Sequence, residues 1–204
     1  MKPIETIMRQ SPVIAVLVID DVMHARPLAE ALVAGGLRVL EVTLRTPVAL
    51  EVISEMRKVD GAIVGAGTVT DEKSLKGAID AGSEFIVSPG LTERLGKAAI
   101  ASGVPFLPGV SSASDIMRGL ELGLAHFKFF PATTSGGIPA LNALAAPFAG
   151  AKFCPTGGIT LESAGQWLAL ESVLCVGGSW LVSTGSRELA AVEARARAAA
   201  ALSR

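Results

Sequence analysis

The sequence predicts an α/β fold of the (β/α)8 class, and three observations predict it. Short β-rich runs of about 5 to 8 residues, the length of buried strands, recur eight times along the 204 residues. Between them lie stretches with apolar residues at three- and four-residue spacing, as in a helix with one buried face. The unit of strand then helix therefore repeats at ~20 to 25 residues, and eight such units make a TIM barrel at the small end of its size range, here with a short N-terminal helix. Half of the chain is apolar, so residues 1–204 are expected to fill one core and form a single domain. The rival is an open doubly wound sheet, which carries fewer strands and, where it binds a dinucleotide, a glycine-rich first turn. The nearest candidate, GAGTVT at 65–70, follows the third run and lacks the last glycine.

Residues 1–12 read as a short helix or arm leading into the first strand, VIAVLVI at 13–19. The helical stretch MHARPLAEALVAGG follows and closes on Gly35 and Gly36, glycine being the residue that most easily leaves a helix. The second strand is LRVLEVTL at 37–44, and the helix PVALEVISEMRKV opens on Thr46 and Pro47, a capping residue and a first-turn proline. AIVGAGT at 62–68 precedes DEKSLKGAIDAG, EFIVSPG at 84–90 precedes TERLGKAAIASG, and VPFLPG at 104–109 precedes SASDIMRGLELG. AHFKFFP at 125–131, AKFCPTGG at 151–158 and VLCVGGSW at 173–180 complete the eight. Gly136 and Gly137 mark a mobile or close-packed loop above the sixth strand, and the alanine-rich tail 187–204 reads as the closing helix.

The net charge of -1, with both signs scattered, leaves no footprint for a nucleic-acid backbone or an anionic membrane, so the expected partner is a small molecule. The two cysteines, Cys154 and Cys175, have no metal-ligand spacing and make no disulfide framework, which fits a cytoplasmic protein. No segment approaches the roughly 20 apolar residues of a membrane span. Mean hydropathy of +0.51 calls for much buried apolar surface, part of it expected at a subunit interface.

Strands of a barrel are buried on both faces, so a charge inside one needs a reason. In LEVTLR the two-residue period puts Glu41, Thr43 and Arg45 on one face. In HFKFFP it separates His126, Lys128 and Phe130 from Phe127 and Phe129, which directs the lysine inward. Lys128 reads either as the partner of Glu41 in a structural ion pair or as an amine nucleophile. The second is preferred because buried ion pairs are a poor route to stability. An apolar wall with Phe130 and a nearby Arg45 would disfavour the ammonium, and a neutral amine can attack a ketone and use the iminium as an electron sink. Glu41 is then the proton shuttle, or else mere charge balance. Arg45 offers a fork for a carboxylate and Thr68 a hydroxyl, a pair suited to an alpha-keto acid, unless Arg45 only caps its loop. The seventh and eighth strands end in Thr156-Gly157-Gly158 and Gly177-Gly178-Ser179. Backbone N–H groups there form the recurrent phosphate cradle of this architecture, and tight turns are the alternative. His24 and His126 read as structural with no metal site, Cys154 and Cys175 as small core residues, and Trp167 and Trp180 as packing groups.

The motifs EVTLRT (41–46), VGAGTV (64–69), SPGLT (88–92), FKFFPA (127–132), FCPTGGI (153–159) and CVGGSW (175–180) together resemble the 2-dehydro-3-deoxy-phosphogluconate (KDPG) aldolase family, also known for acting on 4-hydroxy-2-oxoglutarate. The resemblance runs from about Val13 to Val182. It implies a (β/α)8 homotrimer without metal or other cofactor that cleaves KDPG to pyruvate and glyceraldehyde 3-phosphate in the Entner-Doudoroff route. Carried over, it makes Lys128 the Schiff-base residue and Glu41 the acid/base. Arg45 and Thr68 become contacts to the pyruvate carboxylate, and Pro89 and Phe130 shape the pocket. Thr156, Gly157, Gly158, Gly178 and Ser179 become the phosphate end. The alternatives are the galactonate epimer as substrate, a barrel phosphosugar isomerase, decarboxylase or metal-dependent aldolase, and a non-catalytic phosphosugar-binding barrel.

Overall fold

The computed structural model describes residues 3–182 and 188–203. Helix α1 (Ile4–Met8) precedes β1 (Val13–Leu17), and a single 3-10 turn at Val22–His24 leads into α2 (Ala25–Ala34). The alternation continues through β2 (Val39–Thr43), α3 (Ala49–Met56), β3 (Ile63–Gly67), α4 (Glu72–Asp80), β4 (Ile86–Val87) and α5 (Glu93–Ser102). Two short strands, β5 (Phe106–Leu107) and β6 (Gly109–Val110), precede α6 (Ala113–Glu121), β7 (His126–Phe129) and α7 (Gly137–Ala145). The chain ends in β8 (Lys152–Pro155), α8 (Leu161–Leu168), β9 (Val176–Gly178) and α9 (Leu189–Ala200).

The result is an α/β fold with a curled parallel sheet. Six strands pair in the order β5-β4-β3-β2-β1-β9, and a second sheet has the order β6-β7-β8. The expected fifth strand is thus two. Proline has no N–H to give a ladder, so Pro108 interrupts the pairing, while its carbonyl accepts from Lys128 N at 2.8 Å. At the other edge, isolated parallel pairings of Phe153 with Val173 and of Thr156 with Gly177 link β8 to the run that becomes β9.

Strand periodicity sorts the core into two clusters. Alternate residues such as Val13, Ala15, Leu17, Leu40, Val42, Phe127 and Phe129 pack with the helices. The opposite faces bring Ile14, Val39, Ile63, Phe85, Val87, Leu107, Cys154 and Cys175 together at the N-terminal ends of the strands, where Ile7 and Met8 of α1 close the floor. Glu41, Thr43 and Lys128 stand on those same inner faces, further along their strands, as the period of two requires.

Other expectations need correction. Every strand is shorter than its apolar run, and Arg45 and Phe130 lie in turns beyond β2 and β7. Thr46 does not cap α3, whose N-cap is Val48 with no side-chain bond; its hydroxyl instead donates to Ile19 O at 2.7 Å. Gly136 and Gly137 open α7 rather than a loop, with left-handed φ of 100° and 68°. The tail helix is confined to α9, and residues 183–187, which include the expected start of that tail, lie outside the described residues. Cys154 and Cys175 are buried, and Trp167 packs on Phe129 with ring centroids 6.4 Å apart.

Candidate active site

At the C-terminal ends of the strands a cleft of about 420 Å³ is lined by Val16, Thr43, Arg45, Thr68, Pro89, Lys128, Phe130, Thr156, Gly157 and Ser179. That is the size of a small-metabolite site. Three sequence-predicted residues are not on its wall. Glu41 lies beneath Lys128, while Gly158 and Gly178 stand behind the rim, where β-carbons on them would run into Thr133 and Trp180. Sequence reasoning gave no role to Val16 or Thr43.

Lys128 and Glu41 are almost wholly buried, at 6% and 2% exposure, with Nζ 3.0 Å from Oε1. The Phe130 ring stands 5.2 Å from Nζ. The amine's close partner is a carboxylate, and Arg45 lines the same cleft. The pair has the geometry of a structural ion pair, and the same contact puts a carboxylate within proton-transfer distance of the amine. Among the described residues no carboxylate, imidazole or thiol lines the cleft, and the carboxylate that meets the amine is that of Glu41, beneath it.

Glycines make this possible. A β-carbon on Gly67 would overlap Glu41 Oε1, and one on Gly65 would lie 2.5 Å from the Phe85 ring, so β3 is stripped to backbone where β2 and β4 send side chains inward. On β2, Thr43 Oγ1 donates to Leu17 O at 2.9 Å and accepts from Arg45 Nε at 3.3 Å. A hydroxyl has one proton, so its donation to β1 leaves a lone pair for the guanidinium. Thr68 has a φ of 61°, the positive value found for no other non-glycine among the described residues. A β-branched residue there costs about 1 to 3 kcal/mol, a strain that typically marks a functional position.

At the opposite end of the cleft Gly157 and Gly158 have φ of 105° and 75°. Among the described residues, the N–H groups of Gly158 and Ser179 donate to no protein acceptor. Val176 N donates to Pro12 O on the β1 side, so the strand period, continued past β9, turns the Ser179 N–H toward β8. His126 lies at the floor, 3.5 Å from Glu5, and His24 in the 3-10 turn, both away from the cleft. Among the described residues no three His, Cys, Asp or Glu side chains gather as metal ligands. No helix of them is long and apolar enough to cross a membrane.

Fold and site together define a class: parallel α/β proteins in which a buried lysine, paired with a carboxylate, lies at the base of a cleft at the strands' C-terminal ends. A family model described as KDPG and KHG aldolase matches residues 4–195. The chain belongs to the KDPG and KHG aldolase family. It is 56% identical over 204 residues to the 2-dehydro-3-deoxy-phosphogluconate aldolase of Zymomonas mobilis subsp. mobilis, covering 100% of this chain and 98% of that one. The crystal structure of the Zymomonas mobilis ZM4 enzyme with 3-phosphoglycerate is similar with a TM-score of 0.97 and 57% identity, covering 98% of this chain and 96% of the other. That of Legionella pneumophila KDPG aldolase, with pyruvate captured at low pH as a covalent carbinolamine intermediate, has a TM-score of 0.95 and 42% identity, covering 98% and 99%.

Proposed function

We propose that this protein is a class I aldolase, a lyase that cleaves 2-dehydro-3-deoxy-6-phosphogluconate to pyruvate and glyceraldehyde 3-phosphate and also acts on 4-hydroxy-2-oxoglutarate. The observation that carries the reading is the buried Lys128–Glu41 pair at 3.0 Å. Glu41 takes the ammonium proton, and the neutral Nζ attacks the keto carbon to give a carbinolamine. Glu41 returns the proton to the new hydroxyl, which leaves as water, and the iminium remains. Deprotonation of the substrate's hydroxyl at the fourth carbon lets the bond between the third and fourth carbons break. Its electron pair flows into the iminium, and glyceraldehyde 3-phosphate departs. The resulting enamine is protonated at its terminal carbon, and water hydrolyses the iminium to release pyruvate and Lys128. Glu41, beside the nitrogen throughout, serves these proton transfers directly or through one water.

Arg45 and Thr68 receive the pyruvate carboxylate, Pro89 and Phe130 form the walls around the three-carbon unit, and Thr156, Gly157, Gly158, Gly178 and Ser179 receive the phosphate. The cleft's composition supports this polarity, with a guanidinium at one end and, at the other, N–H groups that donate to no acceptor among the described residues. The Thr156–Gly177 pairing and the shared run through Pro108 support reading the two sheets as one closed (β/α)8 barrel and the chain as a single domain. Met23, Ile100, Met117 and Leu120, apolar and exposed, support a homo-oligomer, which we take as a trimer of the cytoplasm serving the Entner-Doudoroff route. The deciding experiment is borohydride reduction with pyruvate present. It is expected to inactivate the enzyme and leave a reduced pyruvate adduct on the Lys128 peptide by mass spectrometry, with neither seen for Lys128→Ala. An adduct on another residue, or none, overturns the reading.

A further inference from the structure

In a regular strand, successive carbonyls point to opposite neighbours. The segment after β8 departs from that alternation. Thr156 O accepts from Ala132 N at 2.8 Å, and the next carbonyl, Gly157 O, also faces the β7 side, where it accepts from Thr133 N at 3.1 Å. Two consecutive carbonyls on one side require a left-handed backbone, which the φ values of Gly157 and Gly158 provide. Within a trans peptide the carbonyl and the N–H point opposite ways. Capture of Thr156 O and Gly157 O by the 132–133 segment therefore turns the N–H groups of Gly157 and Gly158 together, away from β7 and toward the β9 side. Successive N–H groups aimed the same way form a concave anion site.

Thr133 contributes more than its backbone. Its Oγ1 donates to the same Gly157 O at 3.1 Å, so one residue holds that carbonyl with two donors. The fit is close, because a β-carbon on Gly158 would run into Thr133 Oγ1 and lie 3.0 Å from Thr133 Cβ. Thr133 is exposed and forms no part of the cleft wall. It stands five residues beyond Lys128, so one short segment carries both the amine and the clamp on the far end of the cleft.

We propose that Thr133 is a positioning residue that fixes the phosphate-binding backbone and thereby sets the preference for phosphorylated over unphosphorylated substrates. This rests on the assignment of Gly157, Gly158 and Ser179 to the phosphate. Replacing the hydroxyl leaves the Thr133 N–H bond in place, so the effect is that of one hydrogen bond, about three- to tenfold. The test compares the full-length enzyme with Thr133→Val and Thr133→Ser on 2-dehydro-3-deoxy-6-phosphogluconate and on 4-hydroxy-2-oxoglutarate. Inorganic phosphate serves as inhibitor and borohydride trapping of pyruvate as control. The valine variant is expected to raise KM for the phosphorylated substrate about three- to tenfold, with kcat nearly unchanged, and to weaken phosphate inhibition in proportion. KM for 4-hydroxy-2-oxoglutarate and the pyruvate trapping rate stay as they were, and serine restores the wild-type KM. Equal KM changes on both substrates, or on neither, overturn the role of Thr133. Wild-type cleavage indifferent to inorganic phosphate overturns the phosphate assignment itself and the inference with it, which distinguishes the two failures.

Discussion

Glu41 keeps its position because its neighbour on β3 has no side chain. An alanine at Gly67 would place its β-carbon against Oε1 and 2.7 Å from Glu41 Cγ, at a carboxylate that is only 2% exposed. Gly67→Ala is expected to push the carboxylate off Nζ and lower kcat by about 10²-fold or more, since a displacement of about 1 Å at a reacting group costs that much. Unaltered turnover in that variant would show that the position of the carboxylate is not limiting. Glu41→Gln keeps the shape and removes the proton. Turnover should fall about 10²- to 10⁴-fold while pyruvate affinity, measured by calorimetry, changes little, and equal losses in both would contradict the proton role. Thr43→Val is isosteric and removes the acceptor that faces Arg45 Nε. It should raise KM for both keto acids several-fold, by about one hydrogen bond to a charged group, with kcat preserved and serine restoring KM. A fall in kcat with KM unchanged would place Thr43 in the chemistry instead. Lys128 and Glu41 stood out in the sequence because a charge in an otherwise apolar strand needs a partner or a task. Thr43 was visible on the polar face, but its bond to Leu17 O depends on which strand lies alongside, which periodicity does not encode.

Elements were legible where their signals are local and lost where a tertiary neighbour decides. Four helices follow an N-cap whose side chain accepts from the third helical residue, as Asp71, Thr92, Ser112 and Thr160 do, and three of their starts stood out in the sequence. Helix α7, which holds Pro139 in its first turn, did not, because Gly136 and Gly137 read as a loop. In the first turn, however, N–H groups have no intrahelical partner, so a proline there forfeits nothing. Helix α1 was anticipated as a short helix or arm, but its place as the floor of the strand assembly comes from Ile7 and Met8 meeting the inner faces. It is tied there by Glu5, which faces both Arg9 and His126. Burial holds the His126 pKa below the ordinary 6.5, helped by Arg9 and Lys152 and opposed by Glu5. The unfolded chain thus takes up a proton near pH 6.5 that the folded one resists. Stability from this residue is present above that pH, is lost as pH falls through it, and levels off below the folded value. Thermal unfolding from about pH 7.5 to about pH 5 should show a steeper fall in Tm for the wild type than for His126→Gln. Parallel curves would mean that the imidazole takes up its proton without cost at the floor.

For the whole molecule, the alternation of strand and helix and the parallel α/β class were legible, because they follow from apolar periodicity and chain order. The way the sheet is divided was not. Pro108 breaks one ladder and Pro155 offers no N–H to another, so the continuity between the sheets depends on two isolated pairings, one of them between Thr156 and Gly177. That junction is also the wall of the site, since Thr156 lines the cleft and its Oγ1 fills the space a β-carbon on Gly177 would need. Gly177→Ala therefore forces apart two strands that have few other bonds between them. The overlap should cost about 1 to 3 kcal/mol, as overpacking of a buried site does, which lowers Tm by about 2 to 10 °C in a chain of this size. Because the displaced segment is Thr156–Gly158 and not β7, KM for the phosphorylated substrate should rise while borohydride still traps pyruvate on Lys128. An alanine variant with wild-type Tm and KM would mean that the β8–β9 junction yields freely, and a junction that yields cannot be what joins the two sheets into one wall around the amine.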